Sequence, residues 1–463
     1  MLFFEPAFFV FFAVYFALHL ALPRSRRLWL VIVGGAIFYA WQRPAYLPLP
    51  LVLTGTAWAG AIWLDGAREA RARRLRLTAV LVFLFLPLAV VKYAAFVAGE
   101  ILRLRADTAQ ALRWPLPLGI SFITFTASAY VIDVFRRRYP LERSLPLLLG
   151  HVLFFPHLIA GPILRPTALM PQLRRPRPVL SARFRAGVAI FTLGLVKKLI
   201  FADAIGLAVD QVYAGVAGQD AWRHLIAVYG FAVQIYCDFS GYSDMAVGLA
   251  AVLHIRLPAN FRRPYCATSL VKFWRRWHIT LSLWLRDYLY IPLGGSRGGR
   301  FGQFRNIVIT MVLGGLWHGA NWTFLAWGLL HGLVLGSLHL ASRMTMGRRL
   351  APPPWLGRLA TFQFVAFAWI LFRARSIPEA RGFVAGLLRG NWSNPWPAVH
   401  QNAYVVVLML LFFGVHHFDR HAWMRLAAQR VRPAVLFPVL ALCWALIVAL
   451  SPSGAAKFIY FDF

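Results

Sequence analysis

Apolar and polar positions alternate along this chain on a scale much longer than one turn of an amphipathic helix. Apolar stretches fall near 2–21, 28–44, 47–64, 78–98, 116–134, 186–212, 223–250, 306–320, 322–341, 359–372, 402–418 and 434–451. Each approaches the roughly 20 residues that carry a helix across a hydrocarbon core. Stretches this apolar have no polar face to turn to water, so the pattern predicts an all-α polytopic membrane protein with about twelve crossings. Segment 146–165 is different, because it contains Pro156, Gly161 and Pro162 and has Arg-rich stretches at 136–143 and 165–185 on either side. Both of its ends then belong on one side of the membrane. A re-entrant or broken hairpin is expected there, and such backbone persists only where protein or a cavity surrounds it.

Arginine clusters at 24–27, 68–76, 136–143, 174–185, 262–305, 343–349 and 420–432 all reach one face if there are twelve crossings. The positive-inside bias makes that face cytoplasmic and places both termini outside. Arg373, Arg375, Arg381 and Arg389 contradict this map, and an interfacial helix would reconcile them. The first apolar run is followed by Arg24, Arg26 and Arg27 rather than preceded by a basic region, which predicts a retained span rather than a cleaved leader.

Charge changes the picture little. Lys and Arg total 49 against 16 Asp and Glu, a net of +33, with 60% of residues hydrophobic. In a soluble protein that balance would suggest nucleic acid. Here an anionic cytoplasmic leaflet accounts for it, and no nucleic-acid partner is expected. Cys237, Cys266 and Cys443 show no CxxC and no metal-ligand spacing, so no metal is expected. With no soluble domain, linker or repeat, residues 1–463 read as one membrane domain.

Two stretches carry candidate chemistry. Residues 270–301 are too charged to cross and rich in the Trp and Tyr of membrane interfaces. As a helix over 271–290, they put Trp274, Trp277, Leu281, Trp284 and Leu285 on one face, with Arg275, Arg276 and Arg286 elsewhere. One reading is an amphipathic anchor. The other places Lys272, Arg275, Arg276, Arg297, Arg300 and Arg305 at a cytoplasmic mouth for a phosphorylated donor, where the Gly294–Gly299 loop offers backbone N–H groups.

In 311–332, His318 lies thirteen residues beyond Arg305 in an apolar span, about 20 Å deep at the helical rise. An ionisable group at that depth is a functional candidate, whereas its alternative is a neutral ring bonded to a neighbouring helix. Gly314, Gly315 and Gly319 leave room for another group beside it. A neutral imidazole suits removal of a proton from a hydroxyl near neutral pH. His278 is a second candidate, placed to orient or protonate a leaving thiol, and His331 reads as structural. No HExxH, P-loop or zinc spacing is present.

At these residues the chain resembles the membrane-bound O-acyltransferase superfamily, in its bacterial branch of alginate O-acetyltransferase membrane subunits and teichoic-acid D-alanyl transfer proteins. The matching pieces are PLGISFITF (117–125), FFPHLIAGPI (154–163), GLVKKLIFAD (194–203), YCDFSGYSDMAVGL (236–249), FWRRWHITLSLWLRDYLYIPLGG (273–295) and GGLWHGANWTFLAWGLLHG (314–332). The resemblance implies a ring of helices around a thin central funnel, with re-entrant and interfacial helices and a catalytic core over about 115–340. It implies His318 of the Leu-Trp-His-Gly motif as the catalytic residue and His278 as part of the site. His157 stands where the alginate branch would place Gln.

Residues 457–463 resemble a terminal aromatic motif of this branch, which implies that the Tyr460 hydroxyl receives the acyl group. The alternative is an aromatic anchor at the membrane edge. Asp462 departs from the Gln or Arg expected there.

The expected function is O-acetylation of an extracellular or envelope polysaccharide from acetyl-CoA, across a bacterial inner membrane, with no bound cofactor. A periplasmic esterase-like partner would complete delivery. The runner-up is D-alanyl or other acyl transfer from a carrier protein. A different class, a transporter or flippase with a His, Asp238 and Asp244 proton relay, would leave the protein unlabelled by radioactive acetyl-CoA.

Overall fold

The computed structural model describes residues 1–176, 181–215, 220–344, 352–451 and 459. Among them every regular element is helical, so the protein is an all-α polytopic membrane protein. Among the described residues five helices are long and apolar enough to cross a membrane, or six if Ala403–His416 and His421–Arg430, bent by 76°, form one broken span.

The chain forms two compact units, one of Met1–Phe191 with Tyr242–Ala259, the other of Thr192–Gly241 with Asn260–Phe463. The first is organised around the Ile120–Phe135 helix, whose residues from Ile120 to Val134 are all buried. Only Asp133 among these residues is ionised at neutral pH and the other polar side chains are Ser, Thr and Tyr, so the helix can be buried on every side. The Phe38 and Phe155 rings lie 5.4 Å apart, and Phe3 stacks on Tyr242 at 4.6 Å. Segment 146–165 is broken, with helices at Leu145–Val152 and Phe155–Leu158, and residues 151–164 are buried throughout. His157 Nε2 bonds the His151 carbonyl at 2.8 Å across that break. Irregular backbone is thus enclosed by protein, as an apolar setting demands.

The second unit holds the candidate chemistry. Its Gly299–His318 and Trp322–Met344 helices form a hairpin, joined by Pro354–Arg373 and Ile377–Arg389. The last of these has only 13 residues, with Ala380, Phe383 and Leu387 buried and Arg381 and Arg389 exposed. It is a short helix with one buried apolar face and exposed arginines.

The continuous helix expected over 271–290 is not formed. It is divided into Leu270–Trp274, Ile279–Leu285 and a wide turn at Arg286–Tyr290, with His278 left-handed at φ 39°. Trp277, Leu281, Trp284 and Leu285 are buried. The apolar pattern therefore marks core packing, and a backbone clamp at Asn260 breaks the helix.

Candidate active site

His318 is the last residue of its helix and is 5% exposed. Glycines let the two helices of its hairpin approach closely. A Cβ at Gly315 would sit 2.2 Å from the Phe324 carbonyl oxygen, and one at Gly328 would sit 2.4 Å from that of Met311. At Gly319 a Cβ would meet the Phe324 ring at 2.2 Å. The sequence assigned this room to an incoming group, but at Gly315 and Gly319 the partner helix itself fills it. Gly314 is different, because it lines a cavity.

That cavity has a volume of about 400 Å³ and reaches His318. Its walls are mainly apolar, with Leu281, Met311 and Leu335 among them, and Arg275 and Arg286 add two exposed guanidinium groups. Arg286 is bound to Asp287 at 2.7 Å. An apolar slot with cations and two imidazoles, His318 and His339, is chemically suited to an acyl thioester that carries phosphates. Among the described residues, no group of three or more His, Cys, Asp and Glu is placed to hold a metal.

The other predicted donor contacts stand apart from the cavity lining. Lys272 is exposed, with its Nζ donating to Thr268 Oγ1 at 2.8 Å. Arg276 is half-buried and accepts the Arg262 N–H on its carbonyl at 2.9 Å. Arg297 is exposed in the glycine loop. In that loop the N–H groups of Gly294, Gly295 and Arg297 already donate to the carbonyls of Ile291, Tyr290 and Gly294. Three of the amides proposed for phosphate therefore serve the turn itself.

Aromatic rings enclose His318. Trp317, Phe372 and Trp327 lie at 4.9, 5.1 and 5.5 Å between centroids. His331 is fully buried and accepts from Trp274 Nε1 at 3.3 Å, the structural role expected of it.

His278 is fully buried beside Phe239 and near Trp317, the same indole that flanks His318. Asn260 Oδ1 accepts from the Thr280 N–H at 3.2 Å, which identifies that atom as the oxygen. His278 Nδ1 lies 3.2 Å from the same atom and must donate to it. The lone pair is then on Nε2, since a neutral imidazole carries one N–H. Burial drives this ring's pKa down to about 3, so it is neutral at physiological pH.

A second cavity of about 720 Å³ carries charged groups in its wall, Lys198, Asp203, Asp238 and Arg373 among them. Phe324 and Phe372 form part of its wall. Phe372 therefore touches both the second cavity and the His318 ring. Ile459 also lines this cavity, whereas Tyr460 lies outside the described residues.

Comparison with known proteins assigns this arrangement to a family. The profile of the membrane-bound O-acyltransferase family matches residues 136–377, which include His278 and His318. A probable alginate O-acetylase of Pseudomonas putida is 35% identical, and the match covers 98% of each chain. The chain belongs to the membrane-bound O-acyltransferase family. It is also similar to a peptidoglycan O-acetyltransferase of Helicobacter pylori, at 34% identity over 79% of this chain and 74% of that one. A teichoic acid D-alanyltransferase of Bacillus subtilis is 26% identical over 56% of this chain and 69% of its own.

As a membrane-bound O-acyltransferase the chain is a multi-pass membrane acyltransferase, and several residues of its candidate site escaped the sequence reading. Asn260 sits in an unremarkable run, and only the fold brings it to His278 and Thr280. Phe372 and Arg286 look like an ordinary span residue and an ordinary interfacial arginine. Lys198 and Asp238 lie in matching motifs, GLVKKLIFAD and YCDFSGYSDMAVGL, whose partners became visible only on folding.

Proposed function

We propose that this acyltransferase takes an acetyl group from acetyl-CoA and delivers it for O-acetylation of an extracellular or envelope polysaccharide across a bacterial inner membrane. One observation carries the reading: His318 lines the first cavity, and Phe372, packed on His318, lines a second one that contains charged groups. A thioester entering the first cavity and a hydroxyl approaching through the second would meet at His318. The family relationship supports acyl transfer, and two of the similar proteins are named for O-acetylation.

In this mechanism neutral His318 removes the hydroxyl proton as the oxygen attacks the thioester carbonyl. The C–S bond then breaks, and the thiolate takes the proton back from His318 and leaves, which restores the neutral imidazole. Catalysis needs His318 neutral at the start, the usual requirement for a general base. His278 lies one indole away and orients the leaving side. Arg275 binds the donor's phosphates at the cavity, with Lys272, Arg276 and Arg297 forming a basic approach. The Tyr460 hydroxyl is the first acceptor in this scheme, and a periplasmic esterase-like partner carries the acetyl group on to the glycan. Residues 1–463 act as one membrane domain in this scheme.

Transfer of label from radioactive acetyl-CoA tests the reading. His318→Ala should lower transfer about 10²–10⁴-fold, the usual contribution of a general base, with normal membrane insertion. More than half of the wild-type rate in that variant rules out the assignment. D-alanyl transfer remains the second reading because of the likeness to the Bacillus subtilis D-alanyltransferase. Labelling from a D-alanyl carrier but not from acetyl-CoA would establish it.

A further inference from the structure

The two lysines of the 194–203 motif are consecutive, and they lie in the wide helical turn Val196–Ala202. Such turns reset the helical register, so neighbouring side chains can be sent to separate partners. Lys197 binds Asp419 at 2.7 Å. Lys198 binds Asp203 at 2.8 Å and Asp238 at 2.7 Å, and all three side chains are at most 4% exposed. A buried cluster of this kind is costly to desolvate and brings little net stability, so its use lies elsewhere.

The second oxygen of Asp238 indicates that use. Asp238 Oδ2 accepts the backbone N–H of Ile459 at 2.7 Å, 221 residues along the chain. A backbone N–H donated to a carboxylate is a charge-assisted bond, stronger than one between neutral groups. Ile459 is buried, and with Lys198, Asp203 and Asp238 it lines the 720 Å³ cavity. Because the bond is to backbone, any residue except proline can make it.

We propose that Asp238, oriented by Lys198, is a positioning residue that latches the C-terminal tail at Ile459 to the wall of the second cavity. Tyr460 follows Ile459 directly in the sequence. The latch thus fixes the chain next to the proposed acyl acceptor, and its value for transfer rests on the Tyr460 reading. Its existence does not.

Hydrogen exchange on the full chain in detergent, resolved to the Ile459 amide, tests the latch itself. The wild-type amide should be protected at least 100-fold over a free tail, and Asp238→Ala should lose that protection. Exchange of the wild-type amide at the free-peptide rate overturns the proposal. Because Asp238→Ala also disturbs Lys198, a second variant leaves the charged cluster intact. Ile459→Pro removes the donor without touching the charged cluster, and it should slow acetyl transfer at least tenfold with the KM for acetyl-CoA unchanged. Ile459→Val should behave as wild type. Full transfer activity in Ile459→Pro overturns the positioning role. Tyr460→Phe separates the two ideas: wild-type transfer in that variant defeats the relay, while protection of the Ile459 amide still decides the latch.

Discussion

His278 and Asn260 form the best-defined polar pair of the site: Nδ1–H of the ring donates to Asn260 Oδ1 at 3.2 Å. The same oxygen accepts from the Thr280 N–H and, at 3.0 Å, from its hydroxyl. The Asn260 carbonyl accepts the Ile279 N–H at 2.8 Å. These bonds hold His278 in a left-handed conformation that costs a non-glycine residue about 1–2 kcal/mol. They also fix one tautomer, as partners of a catalytic imidazole commonly do.

Asn260→Asp should therefore make activity pH-dependent in a new way. An adjacent carboxylate favours the imidazolium, so the His278 pKa rises from about 3 toward neutrality and activity falls as the medium becomes more acidic. In the wild type His278 remains neutral from pH 5 to 8 and contributes no acidic limb there. Its effect on stability has the same sign. The folded pKa lies below the unfolded value, so stabilisation is complete above about pH 6.5 and is lost on acidification toward the folded pKa. Rate profiles of both proteins check this, and identical acidic limbs would refute the role assigned to Asn260.

Arg275 lines the donor cavity, whereas Lys272 and Arg297 do not. Arg275→Ala should raise the KM for acetyl-CoA about tenfold with little change in kcat, because a phosphate contact far from the thioester acts mainly as uniform binding. Lys272→Ala and Arg297→Ala should change KM no more than about twofold, as expected of screened surface charges. Steady-state kinetics on the three variants would distinguish a localised phosphate site from a diffuse basic rim.

Phe372 is positioned as a partition between His318 and the second cavity. Phe372→Ala should admit water to the imidazole, raising acetyl-CoA hydrolysis without acceptor relative to transfer. The measurement is thiol release against glycan acetylation. An unchanged ratio would show that other groups close the path.

Gly315→Ala forces a Cβ to within 2.2 Å of the Phe324 carbonyl, which is backbone and cannot swing aside. Separation of the hairpin should cost about 1–3 kcal/mol, the usual penalty of overpacking. Gly302→Ala, in the same helix, meets nothing within 4 Å and should stabilise by about 0.5–1 kcal/mol. Thermal unfolding of both variants in detergent gives the comparison.

The sequence by itself determined the class of protein. Long apolar stretches leave backbone groups no partner but their own helix, so the helices and the broken 146–165 hairpin follow from composition and proline placement. It also singled out His318, because an imidazole deep in an apolar span is conspicuous before any fold is known. Tertiary structure decided which groups meet. The 271–290 stretch has the periodicity of one helix, yet Asn260, eighteen residues before His278, breaks it with side-chain and backbone bonds that no local pattern encodes. Arg275 was separated from Lys272 and Arg297 by the path of the chain, not by its chemistry. The tie between Asp238 and Ile459 spans 221 residues. Periodicity reports only neighbours within a few turns, so contacts at that separation exist only once the helices have packed.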